Sequence, residues 1–475
     1  MTWESVEQLY KSAGQDHLFH HINSLSHEEK EIFYSNLSNM ANRGPPSKLL
    51  TDCQNAIKLQ ELNSQVDPNL IKPLPSTSFH SIIGNDEATN EYYKLGCDAI
   101  SRGEVAIILM AGGQGTRLGS TLPKGCYDIN LPSHKSLFQI QGEKIISLQK
   151  ICNDCVIPWY IMTSVPTRDA TEKFFVDNNY FGLRKDQIIF FNQGTLPAFS
   201  SDGKNILLAN PLQLVESPDG NGGLYRSLRD NHIVEDFKKR GIKHIYVYCV
   251  DNVLSKLADP VFVGYAIKYN FQLATKAVRK RDAHESVGLI VAKDNRPCVI
   301  EYSEISKELA ESTNEQGLLQ FRAANIVNHY YHIDLLSKFL NEWCDNIPYH
   351  VARKKIASYD NIKDCYIKPE QPNGIKLEQF IFDVFPTIPL DKFGCLEVER
   401  SDEFAPLKNA PGSKTDNPET SRLAYLRLGT QWLKDSGALV GENVLVEVSN
   451  KLSYGGENLE QFKGVNFNKN GAYLE

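Results

Sequence analysis

Hydrophobic and polar positions follow two different patterns along the chain, and the change between them lies near residue 105. Residues 1 to about 65 carry apolar side chains at helical spacing in three segments: SVEQLYKSAG, SHEEKEIFYSNLSNM and PSKLLTDCQNAIKLQELN. Ser26 and Glu29 have the spacing of a capping box at the start of the second segment. This part of the chain is predicted to form helices without strands.

From about residue 105, short apolar runs alternate with helical stretches. The runs are VAIILM, IPWYIMTS, QIIFFN, HIYVYCV and FQLATKAV, and the helical segments TRDATEKFFVDN and DPVFVGYAIKY lie between them. Strands of a parallel sheet are buried on both faces, so they lose the alternation of polar and apolar residues. The pattern predicts an α/β fold with a doubly wound, mostly parallel sheet.

Two changes in the pattern suggest domain boundaries. The segment VDPNLIKPLPSTS at 66–78 contains three prolines and is predicted to be a surface linker. Near residue 390 the alternation gives way to FGCLEVER, the helical segment NPETSRLAYLRLGTQWLKDSG and the short strand NVLVEVSN. We expect an N-terminal helical domain at 1–90, an α/β domain at 91–389 and a small C-terminal α/β domain at 390–475.

Charge and hydropathy narrow the class of protein. The formal net charge is −7, with both signs interspersed, so no broad basic surface for nucleic acid or an anionic membrane is expected. The basic run KAVRKRDAH at 276–284 is interpreted as an exposed loop or a local phosphate clamp. No apolar run reaches the roughly 18 residues of a membrane helix.

The N-terminus and the cysteines indicate a cytoplasmic protein. The opening MTWESVEQLYKSAG lacks a charged and then apolar leader, and ten scattered cysteines suit a reducing compartment. Cys152 and Cys155 form a CxxC motif, which could be a redox pair or half of a zinc site. Two free thiols are the favoured interpretation, because no second Cys or His pair has zinc-ribbon spacing.

The candidate chemistry begins in the loop MAGGQGTRLGSTLPK, residues 110–124, which directly follows the run VAIIL. Such a loop leaves the carboxyl end of a buried strand, where ligands of open α/β sheets bind. Glycines allow the backbone to approach a ligand closely. The loop contains Gly112, Gly113, Gly115 and Gly119.

The spacing of the loop excludes two common nucleotide-binding motifs. A Walker A loop requires GxxxxGK[ST], but Lys124 comes five residues after Gly119 and behind a proline. The dinucleotide fingerprint GxGxxG fails by one residue, and WYIMTS ends without the acid that binds ribose. What remains is a loop that brings Arg117 and Lys124 to a triphosphate, where two cations would stabilise a leaving pyrophosphate.

This stretch resembles the signature of eukaryotic UDP-N-acetylhexosamine pyrophosphorylases, L-x-x-G-x-G-T-x-L-x(4)-P-K, with Met110 in the place of the first Leu. The resemblance extends from about residue 90 to 460. It implies a Rossmann-like nucleotidyltransferase core that converts UTP and N-acetylglucosamine 1-phosphate to UDP-N-acetylglucosamine and pyrophosphate. That product is a precursor of chitin, N-glycans and GPI anchors. We expect a monomer or weak dimer.

Two further blocks look like the same family. FFNQGTLPAF carries Gln193, and SPDGNGGLYRSL carries Gly220 and Asn221. Taken alone, Asp-Gly-Asn-Gly-Gly is strong turn chemistry. The resemblance implies that Gln193 and Gly220 read uracil and that Asn221 contacts the sugar. An amide and a backbone group suit the donor and acceptor edge of uracil and can reject cytosine.

Asp251 directly follows the apolar run 244–250 in HIYVYCVDN, again at the expected ligand edge of the sheet. Magnesium in phosphoryl-group enzymes is usually bound by one or two carboxylates together with nucleotide phosphates. We therefore predict that Asp251 binds Mg²⁺, or Mn²⁺ in its place. The alternative is a turn or helix-capping aspartate before Asn252.

The resemblance also implies the remaining site residues. Glu301 and Asn325 supply the carboxylate and amide that a buried sugar needs for its hydroxyls and acetamide. Phe380 and Phe382 are interpreted equally as core or as a wall for the acetyl methyl group. Implied sugar-binding residues are Asn221, Gly288, Glu301, Asn325, Phe380, Phe382 and Lys408. Implied nucleotide-binding residues are Met110, Ala111, Gly112, Gly113, Lys124, Gln193, Gly220, Asp251 and Lys376. Implied catalytic residues are Arg117, Lys124 and Lys408.

Three other functions stay open. A UDP-glucose or broader UDP-sugar pyrophosphorylase shares the glycine loop. A catalytically silent nucleotide-sugar-binding protein would bind UTP without releasing pyrophosphate, although the presence of Arg117, Lys124, Asp251 and Lys408 argues against it. An NAD(P)-binding oxidoreductase is third. The choice between N-acetylglucosamine and N-acetylgalactosamine 1-phosphate depends on loop placement, which the sequence does not give.

Overall fold

The computed structural model describes residues 1–63, 70–302 and 304–475. The chain forms two compact units. Unit 1 comprises Met1–Val66, Gln193–Arg226 and Trp343–Asp383, and unit 2 comprises Asp67–Asn192, Ser227–Glu342 and Val384–Glu475. These two units follow from the contacts within the chain. They are not the predicted domains 1–90, 91–389 and 390–475, whose boundaries stay a prediction.

The α-helices of the described residues are α1 Trp3–Ser12, α2 His27–Arg43, α3 Pro46–Asn63, α4 Asp86–Ser101, α5 Leu137–Ile151, α6 Val165–Asp177, α7 Leu224–Asp230, α8 Ile233–Lys239, α9 Pro260–Lys268, α10 Lys307–Glu311, α11 Ile333–Asn346, α12 Arg400–Glu403 and α13 Pro418–Asp435.

The first strands in chain order are β1 Ile71–Lys72, β2 Phe79–Ser81, β3 Val105–Met110, β4 Trp159–Thr163, β5 Ile188–Asn192, β6 Thr195–Pro197, β7 Phe199–Ser200, β8 Leu208–Asn210, β9 Gln213–Leu214, β10 Glu216–Pro218, β11 His244–Cys249 and β12 Leu273–Arg279. The later strands are β13 Leu289–Lys293, β14 Arg296–Ile300, β15 Ala323–His332, β16 His350–Lys354, β17 Ser358–Asp360, β18 Cys365–Ile367, β19 Gly374–Glu378, β20 Phe393–Val398, β21 Leu439–Val440, β22 Val446–Val448, β23 Asn466–Phe467 and β24 Ala472–Leu474.

Unit 1 packs three N-terminal helices against small antiparallel sheets. Over residues 1–63 the chain forms helices and no strand, as the sequence predicts. The capping box is confirmed: Ser26 N–H donates to the Glu29 carboxylate at 2.8 Å, and Glu29 N–H donates to Ser26 Oγ at 3.2 Å. The helices share one buried cluster with side chains of β8 and β19. Apolar burial against these strands is what holds the helices in place.

The central sheet of unit 2 is mixed and mostly parallel. Its strand order is β2-β20-β12-β15-β11-β3-β4-β5, and β15 alone on this path runs antiparallel to its two neighbours. β3 and β4 are buried along their whole length, which explains their continuous apolar sequences. The predicted α/β class and the mostly parallel sheet are confirmed.

Two predicted segments differ from the structure. The FGCLEVER segment, expected to begin a separate C-terminal domain, forms β20 inside the central sheet, parallel to β2 and β12. The basic run at 276–284 is not simply an exposed loop, because its first four residues belong to β12. The charge of the run suggested solvent exposure, because the local sequence does not show that a lysine has buried acidic partners elsewhere in the chain.

The predicted linker at 66–78 lies partly outside the described residues, which omit 64–69. Its described end contains β1, which pairs antiparallel with β13. Among the described residues, no helix is both long enough and apolar enough to cross a membrane. Cys152 and Cys155 are thiols and form no disulfide, as favoured from the sequence.

Unit 2 contains a buried ion cluster around Lys276. This lysine on β12 is 0% exposed, and its Nζ lies 2.6 Å from Asp259 Oδ2 and 2.8 Å from Glu403 Oε2. Asp259 also caps α9 by accepting the N–H of Val261 at 3.1 Å. The lysine therefore compensates two carboxylates that have left water.

We expect Lys276→Met to lower the free energy of unfolding by about 3–5 kcal/mol, because Asp259 and Glu403 would stay buried without their shared cation. The matched control is Lys243→Met, which removes an exposed partner of Glu104 and should cost less than about 1 kcal/mol. Denaturant titration of both variants measures the difference. Equal losses would contradict the assigned role of Lys276.

Candidate active site

The loop 110–124 at the end of β3 folds back on itself. Gly115 N–H donates to the Leu122 carbonyl at 3.1 Å, and Lys124 N–H donates to the Gly113 carbonyl at 3.2 Å. These bonds join the outgoing and returning limbs of the loop. The glycine-rich sequence therefore forms a closed, hydrogen-bonded hairpin with Arg117 near its tip.

The base of the loop is tied to both neighbouring strands. Ala111 N–H donates to the Met162 carbonyl at 2.8 Å, and the Met110 carbonyl accepts from Val250 N–H at 3.2 Å. The Ser164 hydroxyl donates to the Gly112 carbonyl at 2.7 Å. Met110 and Ala111 are buried, whereas Gly113 is exposed. Because their side chains are buried, Met110 and Ala111 would contact a ligand mainly through backbone atoms.

Lys124, Asp251 and Lys408 converge at Leu407. The Lys124 ammonium donates to the Leu407 carbonyl at 3.1 Å, and Leu407 N–H donates to the Asp251 carbonyl at 2.9 Å. Lys408 is the next residue and is exposed. Residues separated by more than 280 positions thus form one charged group at the carboxyl ends of β3 and β11.

The pKa of the Cys249 thiol is affected by the same three charged residues. Burial raises its pKa, the carboxylate of Asp251 raises it further, and the ammonium groups of Lys408 and Lys124 lower it. Three charges act on one thiol because they lie around it. Arg117 is exposed at the loop tip, and within the described part of the chain no hydrogen bond or ion pair joins it to this group.

Asn252 fixes the loop that carries Asp251. Its amide NH₂ donates to the Glu403 carbonyl at 2.6 Å, and its amide oxygen accepts from Ala405 N–H at 2.9 Å. The segment that ends in Lys408 is therefore held against the segment that begins with Asp251. Sequence reasoning missed this role, although the VDN motif placed a fully polar residue directly after the candidate ligand.

Two buried polar residues of α5 support the same loop from the other side. Gln141 Nε2 donates to the Val250 carbonyl at 3.2 Å, and Lys144 Nζ donates to the carbonyls of Val253 and Ser255 at 2.7 and 2.9 Å. Burial lowers the pKa of Lys144 to about 7. The role of Gln141 and Lys144 was not predicted from the sequence. Their spacing places them on one face of a helix but does not show which loop that face contacts.

The described residues contain no cluster of three or more His, Cys, Asp and Glu side chains that could hold a metal ion. Asp251 is half-buried at the end of β11. A cation bound there would need most of its ligands from phosphate and water, which is how Mg²⁺ is commonly bound with nucleotides. The residue type fits, and the metal site stays a prediction.

Three implied sugar-binding residues lie together in unit 2. Pairing of Leu289 with Ile300 brings the preceding Gly288 and the following Glu301 to the same end of β13 and β14. Asn325 N–H donates to the Gly288 carbonyl at 2.9 Å. Glu301 is exposed and Asn325 is buried. The structure therefore groups these residues, while their ligand stays a prediction.

In unit 1 the Asp-Gly-Asn-Gly-Gly turn packs along residues 379–381. Gly220 has a φ of +86°, and a Cβ there would lie 2.4 Å from the Gln379 carbonyl oxygen. Gly222 N–H donates to that same oxygen at 2.8 Å, and Asn221 Oδ1 accepts from Ile381 N–H at 2.9 Å. Only glycine meets both requirements at position 220.

Phe380 and Phe382 stack on each other with ring centroids 5.2 Å apart, and His350 stacks on Phe380 at 4.3 Å. The Asp383 carboxylate accepts from Phe380 N–H and lies 2.9 Å from His350 Nε2. Both phenylalanines are only half-buried. They are held in place yet are not fully buried, as plain core residues would be. Lys376, on β19, is also half-buried.

Asp219 is a buried carboxyl group that the sequence interpretation passed over. It is 3% exposed, and burial raises its pKa from 3.8 to about 7, while Arg226 and Arg43 oppose the shift. Its N–H donates to the carbonyl of Gly194, the residue after Gln193, at 3.3 Å. In the sequence, Asp219 is only the acid that begins the Asp-Gly-Asn-Gly-Gly motif. Aspartate is common in turns, so the motif alone does not indicate a buried carboxyl group.

Comparison with known families identifies the group to which the chain belongs. The family described as UTP–glucose-1-phosphate uridylyltransferase matches residues 50–423. The chain belongs to this family. A relative from Saccharomyces cerevisiae, named UDP-N-acetylglucosamine pyrophosphorylase, is 64% identical over 99% of both chains. The Arabidopsis thaliana UDP-N-acetylglucosamine diphosphorylase 2 is 41% identical over 96% of this chain and 90% of that protein.

Two solved structures show the extent of the structural similarity. The uridine diphosphate N-acetylglucosamine pyrophosphorylase of Trypanosoma brucei is 28% identical, has a TM-score of 0.84, and is matched over 97% of this chain and 95% of that chain. A UDP-glucose phosphorylase of the same organism is 17% identical with a TM-score of 0.57, which shows the shared fold alone. The resemblance found in the sequence is confirmed.

The raised pKa of Asp219 predicts a pH dependence of stability. Because the folded chain binds this proton more tightly than the unfolded chain, the free energy of unfolding should fall as pH rises from about 4 to about 7. The raised pKa corresponds to a loss of about 4 kcal/mol above that range. Asp219→Asn should therefore be more stable than the wild type at pH 8 and lose this advantage at acid pH, measured by urea titration. Identical pH slopes for both chains would refute the assignment.

Proposed function

We propose that the protein transfers a uridylyl group from UTP to N-acetylglucosamine 1-phosphate and releases pyrophosphate. The observation that carries this proposal is the convergence of Lys124, Asp251 and Lys408 at Leu407. The full-length identity of 64% to a UDP-N-acetylglucosamine pyrophosphorylase supports the substrate assignment. Relatives named as pyrophosphorylases or diphosphorylases argue against a silent binding protein or an oxidoreductase.

In the proposed reaction, a phosphate oxygen of the sugar phosphate attacks the α-phosphorus of UTP. A new P–O bond forms as the bond from the α-phosphorus to the bridging oxygen of pyrophosphate breaks in line with it. No side chain has to remove a proton, because a phosphate monoester is already ionised near neutral pH. Catalysis then depends on placement and on neutralising charge.

The charged group of unit 2 would perform that neutralisation. Lys124 would bind the triphosphate and the leaving pyrophosphate together with Arg117, and Lys408 would offset charge between the two anions. Fixed cations need no reorganisation during the reaction, which is why they stabilise a transition state better than water does. The tie from Lys124 to Leu407 keeps the ammonium beside the segment that carries Lys408.

Asp251 would hold Mg²⁺, or Mn²⁺ in its place, through its half-buried carboxylate. When bound, the cation would supply positive charge that neutralises part of the phosphate charge. The protein's own contribution is the support of Asp251 by Asn252 and Lys144 through their contacts with its loop. That support would fix the carboxylate before substrate arrives.

The remaining roles follow the resemblance. Met110, Ala111, Gly112, Gly113 and Lys376 would bind the nucleotide, and Gln193 with the Gly220 backbone would read uracil. Asn221 Oδ1 already accepts from Ile381 N–H, so its amide NH₂ is the end that would donate to a sugar oxygen. Glu301 and Asn325 would bind sugar hydroxyls and the acetamide, with Gly288 shaping their loop. Phe380 and Phe382 would contact the acetyl methyl through their exposed ring surface.

The proposal includes a doubly wound, Rossmann-like nucleotidyltransferase core, a cytoplasmic location and a monomer or weak dimer. The mostly parallel sheet supports the first of these, because the proposed nucleotide loop leaves the carboxyl end of β3. UDP-glucose pyrophosphorylase activity is a second candidate, since the matching family is described by glucose 1-phosphate.

Release of pyrophosphate with parallel sugar phosphates tests the substrate. We expect turnover of UTP with N-acetylglucosamine 1-phosphate to exceed turnover with glucose 1-phosphate by at least tenfold at equal concentrations. N-Acetylgalactosamine 1-phosphate, assayed alongside, shows how strongly O4 is discriminated. A preference for glucose 1-phosphate would replace the proposed substrate, and no release with any sugar phosphate would refute the reaction.

Lys124→Ala should reduce kcat by about 10²–10³, by analogy with the loss of an oxyanion-stabilising donor. The control is Lys173→Ala, an exposed lysine paired with Asp177, which should retain wild-type kcat. Steady-state release of pyrophosphate measures both, and thermal unfolding checks that each variant is folded. Near-normal kcat in Lys124→Ala would rule out its assigned role.

Metal removal should abolish turnover while leaving the chain folded, because no structural metal cluster was found in the described residues. Asp251→Asn should weaken activation by Mg²⁺ at least tenfold, measured as the metal concentration for half-maximal turnover. UTP binding in the presence of EDTA should change little in this variant. Unaltered Mg²⁺ activation would show that Asp251 is not a ligand.

A further inference from the structure

We propose that Arg43, the last residue of helix α2, is a positioning residue for uracil recognition. Its guanidinium joins strands β6 and β10, and the proposed uracil-reading residues Gln193 and Gly220 lie just beyond one end of this strand pair. The inference rests on the proposed function, in which those two residues read uracil. It gives the N-terminal helices a task, because Arg43 would act on the nucleotide only through the strands that it holds.

The guanidinium of Arg43 contacts side chains on both strands. Its Nη1 donates to the Thr195 hydroxyl of β6 and lies 3.3 Å from Glu216 Oε2 of β10. The Thr195 hydroxyl in turn donates to the same Glu216 oxygen. Because a hydroxyl group can accept and donate at once, the three side chains form a closed set of hydrogen bonds. Thr195 is buried, so its hydroxyl has these partners in place of water.

The strand pair itself has an incomplete main-chain ladder. β6 and β10 form a two-stranded sheet of their own, with Thr195 opposite Pro218 and Pro197 opposite Glu216. Proline has no N–H to donate, so both of these opposed pairs lack a ladder donor. An isolated pair of short strands is only marginally stable in water. The contacts of Arg43 therefore add a connection where the backbone provides few.

The Thr195 end of the pair continues directly into the proposed base-reading residues. Gln193 lies two residues before Thr195, and Gly220 lies two residues beyond the position on β10 that is opposite Thr195. Between them, Asp219 N–H donates to the Gly194 carbonyl at 3.3 Å. A shift of β6 against β10 would therefore move Gln193 relative to Gly220, and their spacing must match one base.

Unit 1 holds Arg43 in place. The Arg43 carbonyl accepts from Arg226 Nη1 at 2.8 Å, and Arg226 Nη2 donates to the Cys344 carbonyl at 3.1 Å. Asn36, about two turns earlier on α2, donates to the Leu212 carbonyl at 3.1 Å in the turn before β9. Residues seven positions apart lie on nearly the same face of a helix. One face of α2 is therefore attached at two points to the segment that contains β6 and β10.

A different role for Arg43 is the stabilisation of α2 alone. A cation in the last turn of a helix interacts favourably with the carbonyl groups at that end. Loss of that interaction would lower the free energy of unfolding, but it would weaken the binding of every nucleotide equally or not at all. A positioning role predicts instead a loss that depends on the base. The two roles therefore differ in nucleotide preference.

The test is Arg43→Met, with the Kd values of UTP and CTP measured by calorimetry without sugar phosphate. Methionine keeps the apolar part of the side chain and removes the guanidinium. The Kd of UTP should rise about tenfold, because Gln193 and Gly220 are held less firmly. The Kd of CTP should rise less than about twofold, because cytosine presents a different donor and acceptor edge.

The matched control is Lys48→Met, which removes an exposed cation of α3 in the same unit, 2.8 Å from Asp52. It should keep the wild-type Kd of both nucleotides. Thermal unfolding checks that each variant is folded. An unchanged Kd of UTP in Arg43→Met, or an equal rise for UTP and CTP, would overturn the proposal.

A conservative variant tests the assigned contacts. The contacts to Thr195 and Glu216 come from one guanidinium nitrogen, so a lysine ammonium can replace them. Arg43→Lys should therefore bind UTP within about threefold of the wild type. A Kd as high as in Arg43→Met would contradict the role of these contacts.

Thr195→Val removes the hydroxyl that links Arg43 to Glu216. If the three side chains act as one set, Thr195→Val should also raise the Kd of UTP. Combining it with Arg43→Met should raise that Kd less than about twofold beyond the larger single effect. Fully multiplicative effects would show that the two residues act separately and would contradict the proposed set.

Gln193→Ala in the same binding assay separates this inference from the proposed function. If the wild type releases no pyrophosphate, the reaction fails, but the affinity for UTP still tests Arg43. If Gln193→Ala binds UTP like the wild type, the assigned reading of uracil fails and the inference fails with it. If Gln193→Ala loses affinity for UTP and Arg43→Met does not, only the role of Arg43 is refuted.

Discussion

The arrangement around Leu407 depends on one constraint: two lysines and an aspartate from distant parts of the sequence must stay close together. Leu407 meets this constraint with its backbone alone, since its carbonyl accepts from Lys124 and its N–H donates to the Asp251 carbonyl. The Asp251 carboxylate takes no part in this contact, because the contact uses main-chain atoms. Placing like charges together costs energy that an anionic ligand would recover.

The same region shows how the protein uses buried polar groups. Lys144 and Gln141 on α5 satisfy main-chain carbonyls of the loop that carries Asp251, and Asn252 satisfies the carbonyl of Glu403. Water cannot reach these carbonyls, so side chains must provide the donors. Lys276 serves a different purpose, because its partners are two buried carboxylates rather than main-chain carbonyls. Buried cations in unit 2 therefore support either the backbone or the charge balance.

Much of the fold and part of the site were accessible from the sequence. The apolar run VAIILM forms β3 with the predicted bounds, and α3 spans the predicted segment from Pro46 to Asn63. Continuous apolar runs and helical spacing are local signals, so they can be recognised without knowing which strand or helix packs beside them. β20 was harder to place, because FGCLEVER has the same local character whether it joins the central sheet or a separate domain. Lys276 in KAVRKRDAH was expected in an exposed loop but lies in β12, because its buried partners are distant in the sequence.

Local sequence was sufficient to predict the element types, the glycine loop with Arg117 and Lys124, and the position of Asp251 after an apolar strand. These follow from side-chain periodicity and from residue spacing within about 15 positions, which neighbouring residues fix. The three-dimensional fold was needed to show that Lys124 and Asp251 meet at Leu407, next to Lys408, and that Asp219 is buried beside Gly194. Burial and electrostatic environment depend on residues far away in the chain. A buried carboxyl and a solvated one therefore look identical in sequence, although their pKa values differ.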